Sequence, residues 1–253
     1  MLDNLKNLEW GTFSASHIVS LIFGIFIISL LFFTLKNKSE RTQNIVLGIL
    51  SFSGIASIIF NLVTWGSPIE YLPFHLCSIN ALILPFAVLT KNQVVKNIPL
   101  LWSFGALCAV VLNHAQGHFK ICSWTFAFYF LPHLFEFGIP LLLLLLKRVK
   151  LGFKYVVTTI IVTFSSYTLI HLINLLLNAY VAHKSIIDAS GELIFLNYMY
   201  SIEPPVNPAL ELFYKIIPMS YWYMFLSLPL IFAYLLIINL PSIIRKRRKA
   251  KEV

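Results

Sequence analysis

Long apolar runs separated by short polar segments are the dominant pattern of this sequence. Each run approaches the roughly twenty residues that a helix needs to cross a ~30 Å hydrocarbon core. The runs predict seven transmembrane helices, at about 14–35, 44–65, 71–90, 97–113, 124–146, 155–177 and 219–240. The third and fourth are separated only by the polar break from Lys91 to Lys96. We therefore predict an all-α membrane protein that forms one polytopic domain over residues 1–253.

Basic residues follow every odd-numbered predicted span. Fifteen of the nineteen Lys and Arg lie in four clusters, at 36–41, 91–96, 147–154 and 245–251. Such clusters are typical of cytoplasmic loops, and seven spans place all four on one side, whereas six spans cannot. We expect the N-terminus outside and the C-terminus in the cytoplasm. The tail either anchors the last span or also contacts anionic lipid.

Composition excludes several other classes of protein. Hydrophobic residues make up 58% of the chain and charged residues 11%, whereas a soluble domain carries about 25% charged residues. The clustered charge explains the net +9 without a nucleic-acid partner. Asp3 and Glu9 precede the first apolar run in place of a basic segment, which indicates a retained span and not a cleaved signal peptide. The three cysteines predict neither a disulfide framework nor a metal site.

Polar side chains within the predicted spans collect in the outer halves of those spans. Because ionisable groups are costly in a membrane, each is a candidate functional residue. The set comprises His17, Asn61, His75, Cys77, Asn80, His133, Glu136, Tyr167, His171 and Asn174, with His114 and His118 just beyond span four. This asymmetry predicts a polar chamber that opens toward the outer leaflet. His17 and His114 are also compatible with an interfacial structural role, and His171 and Asn174 with hydrogen bonds to a neighbouring span.

The segment YLPFHLCSIN, residues 71–80, carries the first of two candidate clusters. His75 and Cys77 are two residues apart and do not share a helix face, so we expect them to have different roles. A cysteine in apolar surroundings is inert unless a base activates it. Cys77 therefore needs His133 or His75 nearby to act as a nucleophile; otherwise it is a small apolar filler.

The segment FYFLPHLFEFGIP, residues 128–140, carries the second cluster. His133 and Glu136 are i,i+3 neighbours on one helix and can touch. A carboxylate beside a histidine fixes the tautomer of the ring and stabilises its protonated form, as in a nucleophile–base–acid arrangement. Pro132 and Pro140 free backbone carbonyls around this pair.

Three segments carry a resemblance to a known family. LPFHLCSINALILPFAVLTKN, INLLLNAY and FLNYMYSIEPPVNPALELF resemble the YwaF-like family of bacterial integral membrane proteins. That family is similar to a eukaryotic membrane phospholipid acyltransferase with a cysteine nucleophile and a histidine, and distantly similar to threonine–histidine hydrolases of fatty-acid esters. The resemblance implies Cys77 as nucleophile, His133 as its base, and a bacterial cytoplasmic membrane as the location.

Residue chemistry and the resemblance together predict a membrane-embedded acyltransferase or lipid hydrolase that acts on phospholipid or other acyl-lipid esters. The expected catalytic residues are Cys77, His133, Glu136 and His75. The expected substrate-binding residues are Asn80, Tyr167, His171 and Asn174. Membrane lipids are the expected partners, no cofactor or metal is expected, and the oligomeric state is left open.

Two other interpretations use the same chamber. It suits a small-molecule transporter or ligand-binding membrane protein whose histidines carry protons. A metal site built from His75, His133 and His171 is a third, although no compact motif such as HExxH is present. The polar segment from Asn178 to Pro218 is either a partial lid over the chamber or a hydrophilic connector.

Overall fold

Helices dominate the structure, a computed structural model that describes residues 9–65, 67–112, 119–188, 190–205 and 207–249. The α-helices of this part of the chain are α1 (Ala15–Leu35), α2 (Glu40–Thr64), α3 (Leu76–Leu89), α4 (Gln93–Leu112), α5 (Trp124–Leu145), α6 (Phe153–Lys184), α7 (Pro208–Ile216) and α8 (Leu228–Lys249). Two-residue strands, β1 (Glu9–Trp10) and β2 (Phe119–Lys120), pair in antiparallel orientation. The prediction of an all-α protein is confirmed at this level.

Six stretches of helix among the described residues are long and apolar enough to cross a membrane. They are Ala15–Leu35, Glu40–Thr64, Gln93–Leu112, Trp124–Leu145, Phe153–Lys184 and Trp222–Leu240. Many large apolar side chains on α1 are exposed, Ile25 by 68% and Val19 by 64%, as expected for side chains that face lipid. The chain is therefore a multi-pass membrane protein. The count of seven spans and the sidedness of the termini stay predictions.

The third predicted span differs most from the structure. A 3-10 turn covers Pro68–Tyr71, and α3 begins only at Leu76, with His75 as its N-cap residue. Pro73 explains the late start, because proline disfavours helical geometry in the residue before it and lacks an N–H group. The fourteen residues of α3 extend about 21 Å, less than a ~30 Å hydrocarbon core.

The chain divides into two compact units, Met1–Val149 and Lys150–Val253, which are described separately. In the first unit α5 packs against α1, α2, α3 and α4. The carbonyl of Phe128 accepts a 2.6 Å hydrogen bond from the Ser57 hydroxyl of α2. That carbonyl is available because Pro132, four residues later, has no N–H to donate to it. The predicted role of this proline in freeing a carbonyl is thus confirmed.

Three of the four basic clusters supply residues that meet at one end of the first unit. Arg148 Nη2 lies 3.0 Å from Oε1 of Glu40, the residue that precedes Arg41. Lys96 Nζ donates to the Arg148 carbonyl at 3.4 Å. This grouping agrees with the charge pattern from which we predicted topology, while the side of the membrane stays a prediction.

In the second unit α6 is the longest helix, and α7, a 3-10 segment Trp222–Ser227 and α8 follow it. The predicted span 219–240 therefore starts in a 3-10 turn and continues as α-helix. The predicted span 155–177 corresponds to α6, which extends seven residues further, to Lys184. The basic tail ends at Lys251, outside the described residues.

The predicted topology is testable with two reporters. A reporter fused after Val253 should be active on the cytoplasmic side, because the last basic cluster follows the last span. In a Cys122→Ser background, a cysteine introduced as Ser190→Cys should react with an impermeant thiol reagent added outside intact cells, whereas Lys38→Cys should stay protected. Labelling of both introduced cysteines, or of Lys38→Cys alone, would refute the orientation.

Candidate active site

Glu136 lies at the junction of α2, α3 and α5. Its side chain is 3% exposed, and a Cβ added at Gly54 of α2 would lie 3.4 Å from Glu136 Oε1. Cys77 and Asn80 of α3 and His133 of α5 are close enough to act electrostatically or as polar neighbours on the carboxyl group. The structure therefore brings three of the predicted site residues together around a fourth, the buried acid Glu136.

The tautomer of His133 is determined by the backbone. His133 Nδ1 lies 2.7 Å from the Tyr129 carbonyl oxygen, and since a carbonyl only accepts, Nδ1 carries the proton and donates it. The neutral ring then presents an unprotonated Nε2, the form that a general base needs. We predicted that Glu136 would fix the tautomer. The Tyr129 carbonyl does so instead, and Glu136 lies about one helical turn further along α5.

Cys77 is the second residue of α3, and its side chain is partly exposed. The side chain of His75, the N-cap residue, makes no capping hydrogen bond to the first turn of α3. The Cys77 sulfur lies near the backbone N–H groups of Cys77 and Ser78. A helix N-terminus favours negative charge, whereas the burial of the sulfur disfavours it, so Cys77 still needs a base to form a thiolate.

The start of α3 lies within the helix bundle. Gly54 lies against Ala81, since an added Cβ would come within 2.5 Å of the Ala81 Cβ. Measured from this contact, α3 extends only about 7 Å back to its first residue, Leu76. Helix α2 extends about 15 Å from the same contact to its last residue, Thr64. Every residue from Tyr71 to Ile79 is partly exposed. Non-helical backbone at membrane depth is tolerated where it lines a cavity, which fits an opening beside Cys77.

Asn80 and Glu136 leave polar capacity unused. Asn80 is 1% exposed, and neither its Nδ2 nor its Oδ1 has a hydrogen-bond partner; Glu136 Oε2 also has none. The two side chains are neighbours, but no well-formed hydrogen bond joins them. Buried polar groups without partners are uncommon and costly, so this pair is suited to a polar group of a ligand.

Tyr167, His171 and Asn174 lie in the second unit, and their polar atoms bind the segment that follows α6. Tyr167 donates to the Tyr221 carbonyl at 3.0 Å, and His171 Nδ1 lies 3.1 Å from the Ser201 hydroxyl. Asn174 donates to the Tyr198 carbonyl and the Ser201 hydroxyl and accepts from the Tyr198 N–H. Asn174 thus has both amide hydrogens engaged. Its predicted role in substrate binding, and those of Tyr167 and His171, stay untested.

The segment after α6 is held by a pair of asparagines. Asn178 donates to the Leu196 carbonyl at 2.7 Å and accepts from the Leu196 N–H at 2.9 Å, as Asn174 does with Tyr198. The segment from 194 to 201 is therefore folded onto α6 and is not a loose connector there. Its function as a lid stays a prediction.

His17 has a structural role in the first unit. The Phe13 N–H donates to His17 Nδ1 at 2.9 Å, so Nε2 carries the proton and donates to the Val110 carbonyl at 2.7 Å. His114 and His118 lie outside the described residues. No group of three His, Cys, Asp or Glu that could hold a metal ion occurs within the described ranges.

Two residues of this site were not identified from the sequence. Tyr129 acts through its backbone carbonyl, which every residue possesses, so no signal marked it. Gly54 had a signal: it belongs to a run of α2 rich in small residues, Ser51, Ser53, Gly54, Ala56 and Ser57, and small residues are typical of close helix packing in membranes.

Comparison with known proteins gives one match. A family model described as the TMEM164 family matches residues 12–239. No curated protein and no solved structure matches the chain significantly. The matched range runs from the residues just before α1 into α8 and thus includes both compact units.

Proposed function

The chain belongs to the TMEM164 family, a family of membrane proteins, and on that premise we propose that it transfers acyl groups from lipid esters through Cys77 and His133. The observation that supports this most is the grouping of Cys77, Asn80 and His133 around buried Glu136. A nucleophile, a base of defined tautomer and an acid then lie near one another in the first unit. The substrate class is phospholipid or another acyl-lipid ester within the membrane.

In the first half-reaction His133 Nε2 takes the Cys77 proton and the sulfur attacks the ester carbonyl. A new S–C bond forms, and the carbonyl electron pair moves to oxygen. The first-turn N–H groups of α3 are suited to stabilise that oxyanion, since they lie beside the nucleophile and the helix N-terminus favours negative charge. The C–O bond then breaks, and the leaving alcohol takes the proton from His133. An acyl-cysteine thioester remains.

In the second half-reaction an acceptor hydroxyl gives its proton to His133 Nε2 and attacks the thioester. The C–S bond breaks and Cys77 recovers its proton from the imidazolium. A lipid hydroxyl as acceptor makes the protein a transferase, and water makes it a hydrolase. Glu136 is suited to stabilise the imidazolium through its nearby negative charge.

A small-molecule binder or transporter is the second candidate. The unpartnered amide of Asn80 and oxygen of Glu136 favour it, because a small polar ligand would satisfy both. Such a ligand would bind without forming a covalent bond to Cys77. Covalent labelling therefore separates the two functions.

The proposal is tested by acyl labelling of the full chain in detergent micelles. An alkyne-tagged nitrophenyl ester of a fatty acid should acylate Cys77 and release nitrophenol, and the adduct should be cleaved by hydroxylamine as a thioester is. Cys122, which is exposed, and Cys108, which is half-buried, serve as internal controls for simple accessibility. Mass spectrometry that finds the label on Cys122 or Cys108 but not on Cys77 would overturn the acyl-cysteine mechanism.

A further inference from the structure

A cleft of about 510 Å³ lies at the basic end of the first unit. It includes Leu89, which is about 18 Å along α3 from Cys77. It is lined by Glu40, Arg41, Asn44 and Ile45 of α2 and by Leu89 and Lys91 at the turn between α3 and α4. We propose that this cleft binds the phosphate of an anionic glycerophospholipid. The proposal does not depend on acyl transfer at Cys77.

Arg148 lies next to the cleft, since it is paired with the lining residue Glu40. Helix α5 ends at Leu145. Lys147, the residue after the C-cap, has φ 60°, and the N–H of Arg148 donates to the Leu143 carbonyl at 2.8 Å. This Schellman turn directs Arg148 back toward the bundle. Its Nη2 donates to Glu40 Oε1 at 3.0 Å and to the Val88 carbonyl at 3.4 Å.

The pair between Arg148 and Glu40 neutralises the carboxylate that lines the cleft. The Arg148 side chain is only 7% exposed, and its Nε and Nη1 have no hydrogen-bond partner. Lys96, 3% exposed, also points its ammonium group at the Arg148 backbone. Arg148 and Lys96 thus place two buried cations behind the cleft, and Glu40 is paired with only one of them.

Arg41 and Lys91 are free to supply the direct contacts. Both are exposed, and within the described residues neither side chain makes an ion pair or a hydrogen bond. With Lys96 and Arg148, they bring four cations against the single carboxylate of Glu40, a local net charge of +3. A phosphate group matches this arrangement in charge and in acceptor number.

Two further features favour a lipid over free phosphate. Ile45 is 54% and Leu89 60% exposed, so apolar surface lies beside the cations and offers contact to the carbon chains of a lipid. Asn44 Oδ1 is buried without a partner, and an acceptor oxygen does not bind phosphate oxygen. It does accept from a hydroxyl, so a headgroup that carries both phosphate and hydroxyl groups, such as phosphatidylglycerol, fits best.

The test is lipid binding by the full chain, measured by native mass spectrometry in detergent with equal amounts of phosphatidylglycerol and phosphatidylcholine. Phosphatidylglycerol should be retained preferentially. Arg41→Gln and Lys91→Gln should each weaken its binding about fivefold, the effect of one basic residue at a lipid surface. Since both side chains are exposed, the variants should fold, and unfolding temperature checks this. Lys38→Gln removes an equal charge from the turn just before α2, outside the cleft, and should leave binding within twofold.

Two comparisons decide the chemistry. Asn44→Ala should weaken phosphatidylglycerol more than phosphatidic acid, because only the former has glycerol hydroxyls in its headgroup. Inorganic phosphate at the same concentration should not displace the lipid. Equal losses of lipid binding for Lys38→Gln and Lys91→Gln would show that binding depends only on overall surface charge, and would refute the proposed site. Displacement by inorganic phosphate would overturn the assignment to a lipid.

Discussion

Cys77→Ala and His133→Ala are each expected to abolish acyl transfer without preventing membrane insertion. Cys77 forms the bond to the acyl group, and His133 Nε2 carries the proton in both half-reactions. Because the two act as a unit, the losses are not additive, and the double variant should be scarcely worse than either single variant. Release of nitrophenol from the acyl ester measures the rate, and unfolding temperature in detergent measures folding.

Two conservative variants make this prediction sharper. Cys77→Ser keeps the geometry but replaces a strong nucleophile with a weak one, so the rate should fall nearly as far as with alanine. Glu136→Gln keeps the shape of the side chain and removes only its charge, so it should be milder than His133→Ala. If Cys77→Ala and Cys77→Ser left the rate intact, Cys77 would be a packing residue and the binder or transporter function would replace the acyltransferase.

Gly54→Ala is expected to lower both stability and activity, whereas Gly48→Ala on the same helix should lower neither. A Cβ at position 54 would meet the Ala81 Cβ at 2.5 Å, and Ala81 has no rotatable side chain that could move away. Helices α2 and α3 must therefore separate, at a cost of about 1–3 kcal/mol. That separation displaces Cys77, four residues before Ala81, relative to His133.

Gly48 is a matched control because an added Cβ there has no neighbour within 4 Å. Alanine is the better helix former by about 1 kcal/mol, so Gly48→Ala should be neutral or slightly stabilising. Thermal unfolding and nitrophenol release, measured on both variants, test the prediction. Equal behaviour of the two variants would show that the contact between α2 and α3 does not hold the site together.

The lengths of the apolar runs and the positions of the charged residues predicted most helices well, because a membrane constrains both. The first predicted span, 14–35, and the fifth, 124–146, agree with α1 and α5 to within one residue at each end. The third span, 71–90, was predicted five residues too long at its start. Hydropathy measures side chains only, and the residues before Leu76 are apolar although their backbone is not α-helical. Pro68 and Pro73 marked this interruption of the helix, but hydropathy takes no account of the effect of proline on the backbone.

The grouping around Glu136 was predicted in part. Spacing along α5 placed His133 beside Glu136, since both lie on one helix. The need of Cys77 for a base suggested that Cys77 lies near His133 or His75. The contribution of α2 was not predicted, because which helices pack together depends on contacts distant in sequence. His171 and Asn174 showed the same limit: the sequence suggested hydrogen bonds to a neighbouring span, whereas in the structure they bind Ser201 and Tyr198 of the segment after α6.

The paired asparagines of α6, Asn174 and Asn178, limit where insertions can occur in this sequence during evolution. Four residues of helix rise about 6 Å, and two residues of extended chain span about 6.6 Å, so Asn178 and Asn174 meet Leu196 and Tyr198 in step. Each side-chain amide makes the two hydrogen bonds with one backbone residue of this segment that a neighbouring strand would otherwise make. An insertion near Gly191 would leave that register intact, whereas one residue added between Leu196 and Tyr198 would break it. Length variation among natural homologues should therefore concentrate at 188–193 and spare 196–198.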